Sequence, residues 1–348
     1  MLELVINAYK QWRRMKMLDG LFSDGPSFAF IGVGQHSIDN LYPVILNMGV
    51  RIKYLYSRQL QVATQTARLF PGCTGVSELS VILKDPAVQG VFICMKNEHQ
   101  FPLVKDCLDA DKYVFVEKPA VNSYAALQQL MGHPHADKCM IAFNKRFSPL
   151  NRQLKKTIAD AYSYQARYIT GAYPEGDAVM ELFCHPINNI LEFFGPVEQY
   201  SLLHHSGMNG GIHLQLLVKH RQATGMLELS SCYSWSLFAD TLQCLTPRDV
   251  IEINYPGSFR ITPLGRQFAG VPFDKIFNSR RQMSESSYTT ATPVAENNPV
   301  VQYGYRDEIH YFVTQVQQGK MLHRAAPGTF ADTFRLLDEL KLAMSQSR

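Results

Sequence analysis

Phe28-Ala29-Phe30-Ile31-Gly32-Val33-Gly34-Gln35-His36-Ser37 is the stretch on which the architecture turns. Four apolar residues read as a buried strand and G-x-G-x-x-S reads as a tight turn. Leu41, Val44, Ile45 and Met48 then recur at helical spacing. Strand, glycine turn and helix in that order suit a dinucleotide. Gly32 permits the turn, Gly34 lets backbone approach a pyrophosphate, and the helix N-terminus at Gln35 and His36 favours its charge. Ser37 stands where a third glycine is usual. That position governs helix-to-strand packing, so a small serine is tolerated, but the motif becomes less specific and an ordinary glycine turn stays open as the plain alternative.

Outward from this stretch, short apolar strands alternate with helical segments: Phe28 to Ile31, Ile52 to Tyr56, Val91 to Met95, Tyr113 to Val116 and Cys139 to Phe143. Such alternation predicts an α/β domain with a doubly wound parallel sheet, a Rossmann arrangement. After Phe147-Ser148-Pro149 the texture changes to strand-like runs at Tyr162 to Thr170, Gln199 to His204, Ile212 to His220, Ala223 to Ser230 and Val250 to Ile253. One helix, about Ala178 to Phe194, lies among them and stops at Gly195-Pro196. This half reads as α+β with an open-faced, mostly antiparallel sheet. Lys275 to Asn298 reads as a long mobile loop, and helices follow at Tyr305 to Gln317 and Ala331 to Ser345. Residues 1 to about 20 read as an added amphipathic helix carrying Leu2, Val5, Tyr9, Trp12 and Met15 on one stripe. Its narrow stripe suits packing on this protein or on a sister subunit better than a membrane surface. The predicted domains are a helical extension over 1–26, a dinucleotide-binding domain over 27–146 and a substrate-binding and oligomerisation domain over 147–348.

Composition narrows the classes. The chain has 348 residues, 46% hydrophobic and 18% charged, which is an ordinary globular balance with room for two domains. Basic residues number 34 against 30 acidic and are scattered, which speaks against nucleic acid as a partner. Seven cysteines form no C-x-x-C pair, so the reading is no disulfide framework, no zinc site and a reducing, cytoplasmic setting. No apolar run approaches membrane-spanning length, and Met1-Leu2-Glu3-Leu4 lacks the features of a signal peptide.

Three further segments carry chemistry. Val114-Phe115-Val116-Glu117-Lys118-Pro119 runs an apolar strand straight into a lysine, which at the mouth of a nicotinamide cleft is a reaction tool. Tyr54-Leu55-Tyr56-Ser57-Arg58 ends the second strand without the carboxylate that an NAD ribose needs. Ser57 and Arg58 suit a 2′-phosphate, so the cofactor expected is NADP, with NAD as the alternative and a solvated Arg58 as the plain reading. In Asp177-Ala178-Val179-Met180-Glu181-Leu182-Phe183-Cys184-His185-Pro186-Ile187-Asn188, Glu181 and His185 are four apart. A carboxylate one helical turn away can orient an imidazole for proton transfer; a satisfied structural histidine is the plain reading.

Taken with Phe92-Ile93-Cys94-Met95-Lys96-Asn97-Glu98-His99 and Phe143-Asn144-Lys145-Arg146-Phe147-Ser148-Pro149, these segments resemble the Gfo/Idh/MocA oxidoreductases, the relatives of glucose-fructose oxidoreductase and inositol dehydrogenase. The resemblance runs from residue 28 to the C-terminus and includes Tyr305-Arg306-Asp307-Glu308-Ile309-His310-Tyr311-Phe312. It implies a Rossmann domain followed by an open-faced sheet that often mediates dimers or tetramers, with the active site between the domains. It implies that Lys118 hydrogen-bonds the reacting oxygen, that the bond before Pro119 is cis, and that His185 takes or gives the hydroxyl proton with support from Glu181. By the same likeness Met95, Asn97, His99 and Glu117 line the cofactor, and Asn144 and Arg146 lie towards the substrate. For Arg146 a structural salt bridge is equally open. Asn188 departs from the family's frequent aspartate, Met95-Lys96 from its small residue and proline, and the N-terminal extension from its usual length.

The activity implied is hydride transfer between a nicotinamide and a secondary alcohol or ketone of a sugar, cyclitol or related polar metabolite, without a metal. Reduction of an imine or conjugated double bond is one alternative. A non-catalytic NADP-binding regulator is another. The expected partners are a small-molecule substrate and further copies of the chain, as a homodimer or homotetramer.

Overall fold

The computed structural model describes residues 2–21, 25–173, 176–265, 267–268, 271–272, 284–287 and 299–346. They divide into two compact units. The first is Met1–Phe143 with Tyr305–Thr329, and the second is Asn144–Gly304 with Phe330–Arg348.

In the first unit, β1 (Ser27–Ile31), β2 (Ile52–Tyr56), β3 (Thr74–Val76), β4 (Val88–Ile93), β5 (Tyr113–Glu117) and β6 (Cys139–Ala142) form one sheet in the order β3-β2-β1-β4-β5-β6. Every pairing is parallel. A parallel sheet is covered on both faces, so its central strands are mostly apolar, and β1, β5 and β6 are buried at every residue. The short edge strand β3 escapes sequence reading because Thr74-Gly75-Val76 has too few residues to show a period.

Phenylalanines weld the sheet to a helix from far along the chain. Phe312, on the helix Tyr305–Gln317, stands 5.0 Å from Phe92, 5.6 Å from Phe115 and 6.0 Å from Phe28, ring centre to ring centre. Each such pair adds about 0.5–1.5 kcal/mol beyond its burial. This corrects the domain reading in which 147–348 is one continuous body: 305–329 returns to the first unit, and the boundary falls at Phe143/Asn144, a few residues before the predicted one.

The large sheet of the second unit has eight described strands. They are β7 (Ser163–Gly171), β8 (Gln199–Ser206), β9 (Ile212–Lys219), β10 (Thr224–Tyr233), β11 (Ala239–Leu245), β12 (Asp249–Asn254), β13 (Ser258–Pro263) and the strand Ser284–Ser287. From that last strand the order is β13-β12-β11-β7-β10-β9-β8, antiparallel throughout except for parallel β7 and β10. Burial alternates along β9 and β11, as it must when one face is packed and the other open. The helices Cys184–Phe194 and Ala331–Gln346 pack against each other in this unit, and Phe194 stacks on Tyr164 of β7 at 4.1 Å.

Three local expectations change. The segment 275–298 contains the strand Ser284–Ser287, paired with β13, and its remaining residues lie outside the described ones. Strands β11 and β13 are additions to the predicted set. The helix Leu2–Leu21 is present, with Val5, Tyr9, Trp12 and Met15 exposed.

Candidate functional site

The glycine turn leaves β1 at the edge where all six parallel strands end. Gly32 has φ +112°, and a Cβ there would lie 2.0 Å from the carbonyl oxygen of Cys94, so only glycine fits between β1 and the end of β4. Gly34 differs: a Cβ there meets nothing within 4 Å, which leaves its backbone open to a large ligand. The chain then turns helical through a π segment, Ser37–Leu41, into Tyr42–Asn47. Pro43, which has no N–H to donate to Asp39, accompanies the wider turn.

Gly32 N–H donates to Tyr56 O at 3.2 Å, which places the end of β2 beside the turn. There Ser57 is half-buried and Arg58 exposed. Met95 lies on the other side, its Cγ 3.1 Å from the position of a Cβ on Gly32. Asn97 is half-buried, while His99 and Lys96 are exposed. Gln35 Nε2 donates to Asp39 at 2.8 Å and is exposed.

Lys118 follows β5 directly. Glu117 is 7% exposed, and its Oε2 accepts from the Lys118 N–H at 3.3 Å. Its Oε1 lies 3.3 Å from His36 Nε2, so the glycine turn and the lysine segment touch through one carboxylate. Burial works against a charged His36, but the neighbouring Glu117 carboxylate outweighs it and holds His36 above the usual imidazole range. The Lys118–Pro119 bond is cis. Beneath this group lies Glu308, fully buried, with neither carboxyl oxygen hydrogen-bonded among the described residues. Burial first, and the Glu117 charge second, raise Glu308 well above the ordinary carboxyl range. Sequence reading passed over Glu308, whose only signal was a lone acid on an otherwise apolar helical face.

The second unit holds the remaining candidates. The helix predicted over Ala178 to Phe194 is two pieces, Ala178–Glu181 and Cys184–Phe194. Pro186 cannot donate to Leu182 O and its ring crowds that carbonyl, so the ladder breaks at Leu182–Phe183. Glu181 thus ends one piece and His185 lies in the first turn of the next, both half-buried, instead of sharing one uninterrupted helical face. Asp177 caps the first piece, its Oδ1 accepting from Val179 N at 3.0 Å and Met180 N at 3.2 Å.

Arg146 is tied into the second unit by its side chain. Its Nε donates to Asn188 Oδ1 at 2.9 Å and lies 3.5 Å from Glu192 Oε2, and its guanidinium carbon sits 4.1 Å from the centre of the Phe330 ring. Asn188 in turn donates to Thr333 Oγ1 at 2.9 Å, a double role that an aspartate could not fill while ionised. Asn144 is buried and donates to Tyr303 O at 3.0 Å. Its neighbour Lys145 forms a buried ion pair with Asp240 of β11 and stands 4.8 Å from the centre of the Tyr255 ring. Neither Lys145 nor Asp240 stood out in the sequence, because their separation along the chain hides the pairing.

Among the described residues no group of three or more His, Cys, Asp or Glu could hold a metal ion. None of the seven cysteines is joined in a disulfide. No helix among the described residues is long and apolar enough to cross a membrane.

Residues 27–144 match the family model GFO_IDH_MocA, described as an oxidoreductase family with an NAD-binding Rossmann fold. The uncharacterized oxidoreductase YhhX of Escherichia coli (strain K12) is 26% identical over 185 residues, covering 48% of this chain and 53% of the relative. The uncharacterized oxidoreductase YrbE of Bacillus subtilis (strain 168) is 26% identical over 84 residues, covering 24% of this chain and 25% of the relative. The chain therefore spans about half the length, or less, of these curated relatives. Among solved structures, a dehydrogenase from Chromobacterium violaceum superposes with a TM-score of 0.77 at 15% identity, covering 93% of this chain and 99% of the other. KijD10, a 3-ketoreductase from Actinomadura kijaniata solved in complex with NADP, superposes with a TM-score of 0.69 at 15% identity, covering 90% of this chain and 96% of the other. At such identities the likeness is one of fold.

Proposed function

We propose, from the match of residues 27–144 to the Gfo/Idh/MocA oxidoreductase family model, that this protein transfers a hydride between a nicotinamide dinucleotide and the secondary alcohol or ketone carbon of a sugar, cyclitol or related polar metabolite. The observation that carries the reading is the coupling of Lys118 to the glycine turn through Glu117 and His36 at the carboxyl ends of parallel strands. Those ends, where the strand order reverses between β1 and β4, are where open α/β sheets take their ligands.

The residues present fit a dinucleotide. Gly34 leaves its backbone open to a pyrophosphate, and Ser57 and Arg58 offer a hydroxyl and a guanidinium where the adenosine ribose belongs. A bound nicotinamide supplies or takes the hydride. The chain supplies the rest. Lys118 donates a hydrogen bond to the reacting oxygen and stabilises its developing negative charge. His185 takes or gives the hydroxyl proton, and Glu181 orients its ring. We favour NADP, since no carboxylate ends β2 and since one fold relative is an NADP-bound ketoreductase. Arg58→Ala is expected to weaken NADPH binding about tenfold, the scale of one charged hydrogen bond, and to leave NADH binding unchanged. Fluorescence titration of both coenzymes checks it.

The deciding experiment measures coenzyme oxidation by the pure protein across a panel of keto sugars and cyclitol ketones. Lys118→Ala and His185→Ala are each expected to lower turnover of an accepted substrate about 10²- to 10⁴-fold. Near wild-type turnover by both variants overturns the assignment.

A further inference from the structure

We propose that Gln100 is a positioning residue for Lys118, its side-chain amide gripping the backbone on both sides of the lysine and so aiming the ammonium. The inference rests on the role given to Lys118 above. Gln100 is 1% exposed, and its Nε2 donates to Glu117 O at 3.1 Å and to Pro119 O at 3.0 Å. The two acceptors bracket Lys118. The amide has only one workable orientation here, because both neighbours are carbonyl oxygens and only the NH₂ end can donate to them.

The other half of the same amide shows what the residue is kept for. Gln100 Oε1 is buried and has no hydrogen-bond partner among the described residues. A buried carbonyl without a donor is a net loss for the folded state, and an apolar side chain of similar length would avoid it. The donors alone therefore justify a glutamine at this position. The Glu117 carboxylate accepts from the Lys118 N–H, and His36 approaches that carboxylate, so both act on the upstream side.

Gln100 also opens the helix Gln100–Asp109, immediately after the turn Asn97–His99. The loop that leaves β4, carrying Met95 and Asn97, is thus tied through one side chain to the segment that leaves β5. A cofactor seated against that loop and a lysine held by Gln100 would keep a constant separation, which hydride transfer with charge stabilisation requires.

The test reads Lys118 itself and needs no identified substrate. Trinitrobenzenesulfonate labelling of Lys118 is followed by peptide mass spectrometry, with and without saturating NADPH, in the full-length protein. In the wild type, NADPH is expected to slow labelling of Lys118. In Gln100→Leu the rate without NADPH is expected to rise about tenfold and the protection to fall, while lysines far from the site label as before. Gln100→Glu adds a signature that a merely structural role lacks. A protonated carboxyl donates one hydrogen bond and a carboxylate none, so the variant-to-wild-type rate ratio should return towards one as pH falls. That ratio decides the matter even if Gln100→Leu does not fold. Wild-type labelling rates in both variants overturn the positioning role and leave the proposed function standing. Absence of NADPH protection in the wild type overturns the placement of Lys118 at the coenzyme instead.

Discussion

The two sheets solve the burial problem in opposite ways. Strands β1, β5 and β6 are buried at every residue, and the first unit closes on a cluster of phenylalanine rings. In the second unit one face of the sheet is open, and the interior admits charge: Lys145 and Asp240 are buried as a pair, and Arg146, Asn188 and Thr333 form a polar chain. An apolar core tolerates loss of volume badly. A core with charges tolerates loss of a partner badly.

That contrast can be pressed experimentally. The largest effect on stability is expected at Phe312→Ala, about 3–5 kcal/mol by chemical denaturation, as for other fully buried aromatic residues. Leu217, 62% exposed on the second sheet, is the control, and Leu217→Ala should stay within about 0.5 kcal/mol. A Phe312→Ala loss as small as the Leu217→Ala loss would detach the helix Tyr305–Gln317 from the first unit's core. In the second unit, Lys145→Met or Asp240→Asn alone should cost about 3 kcal/mol by stranding a buried charge, and the double variant should recover much of it. Additive losses in that double-mutant cycle would mean that the two charges do not depend on each other.

The smallest effect sharpens the comparison from the other side, because the first unit holds buried acids of its own, Glu117 and Glu308. Glu308 is raised above its unfolded range, so its stabilising contribution is complete below about pH 4.3 and is lost as pH rises towards the folded value. Glu308→Gln removes that dependence. The difference in melting temperature, variant minus wild type, should therefore grow between pH 4.5 and pH 8, by about 2–4 °C per kcal/mol recovered in a unit of this size. A flat difference across that range would show Glu308 ionised in the folded protein.

The same contrast explains what the chain disclosed before folding. Two-sided burial writes itself as apolar runs, which is why β1 and β5 were legible to within a residue at each end. Strand β11 was not legible. Its inward positions include Asp240, which reads as an outward residue until Lys145, far away in sequence, is seen beside it. The break at Leu182–Phe183 had a visible cause in Pro186, but the periodicity on either side concealed it. Glycine turn, lysine and histidine all carried local signals. Gln100 carried none, because its meaning lies in two carbonyls that approach it only in the folded sheet.

The glycine turn divides the permissions of evolution between two neighbouring letters. At Gly32 any side chain strikes the Cys94 carbonyl, so that position is forbidden to every variant that keeps the sheet, whatever the protein binds. At Gly34 there is room for a methyl group, so the fold itself raises no objection. A lineage of this chain released from its ligand would be free to drift at 34 while staying glycine at 32, and that pattern would separate descendants that still hold a coenzyme from those that only keep the shape.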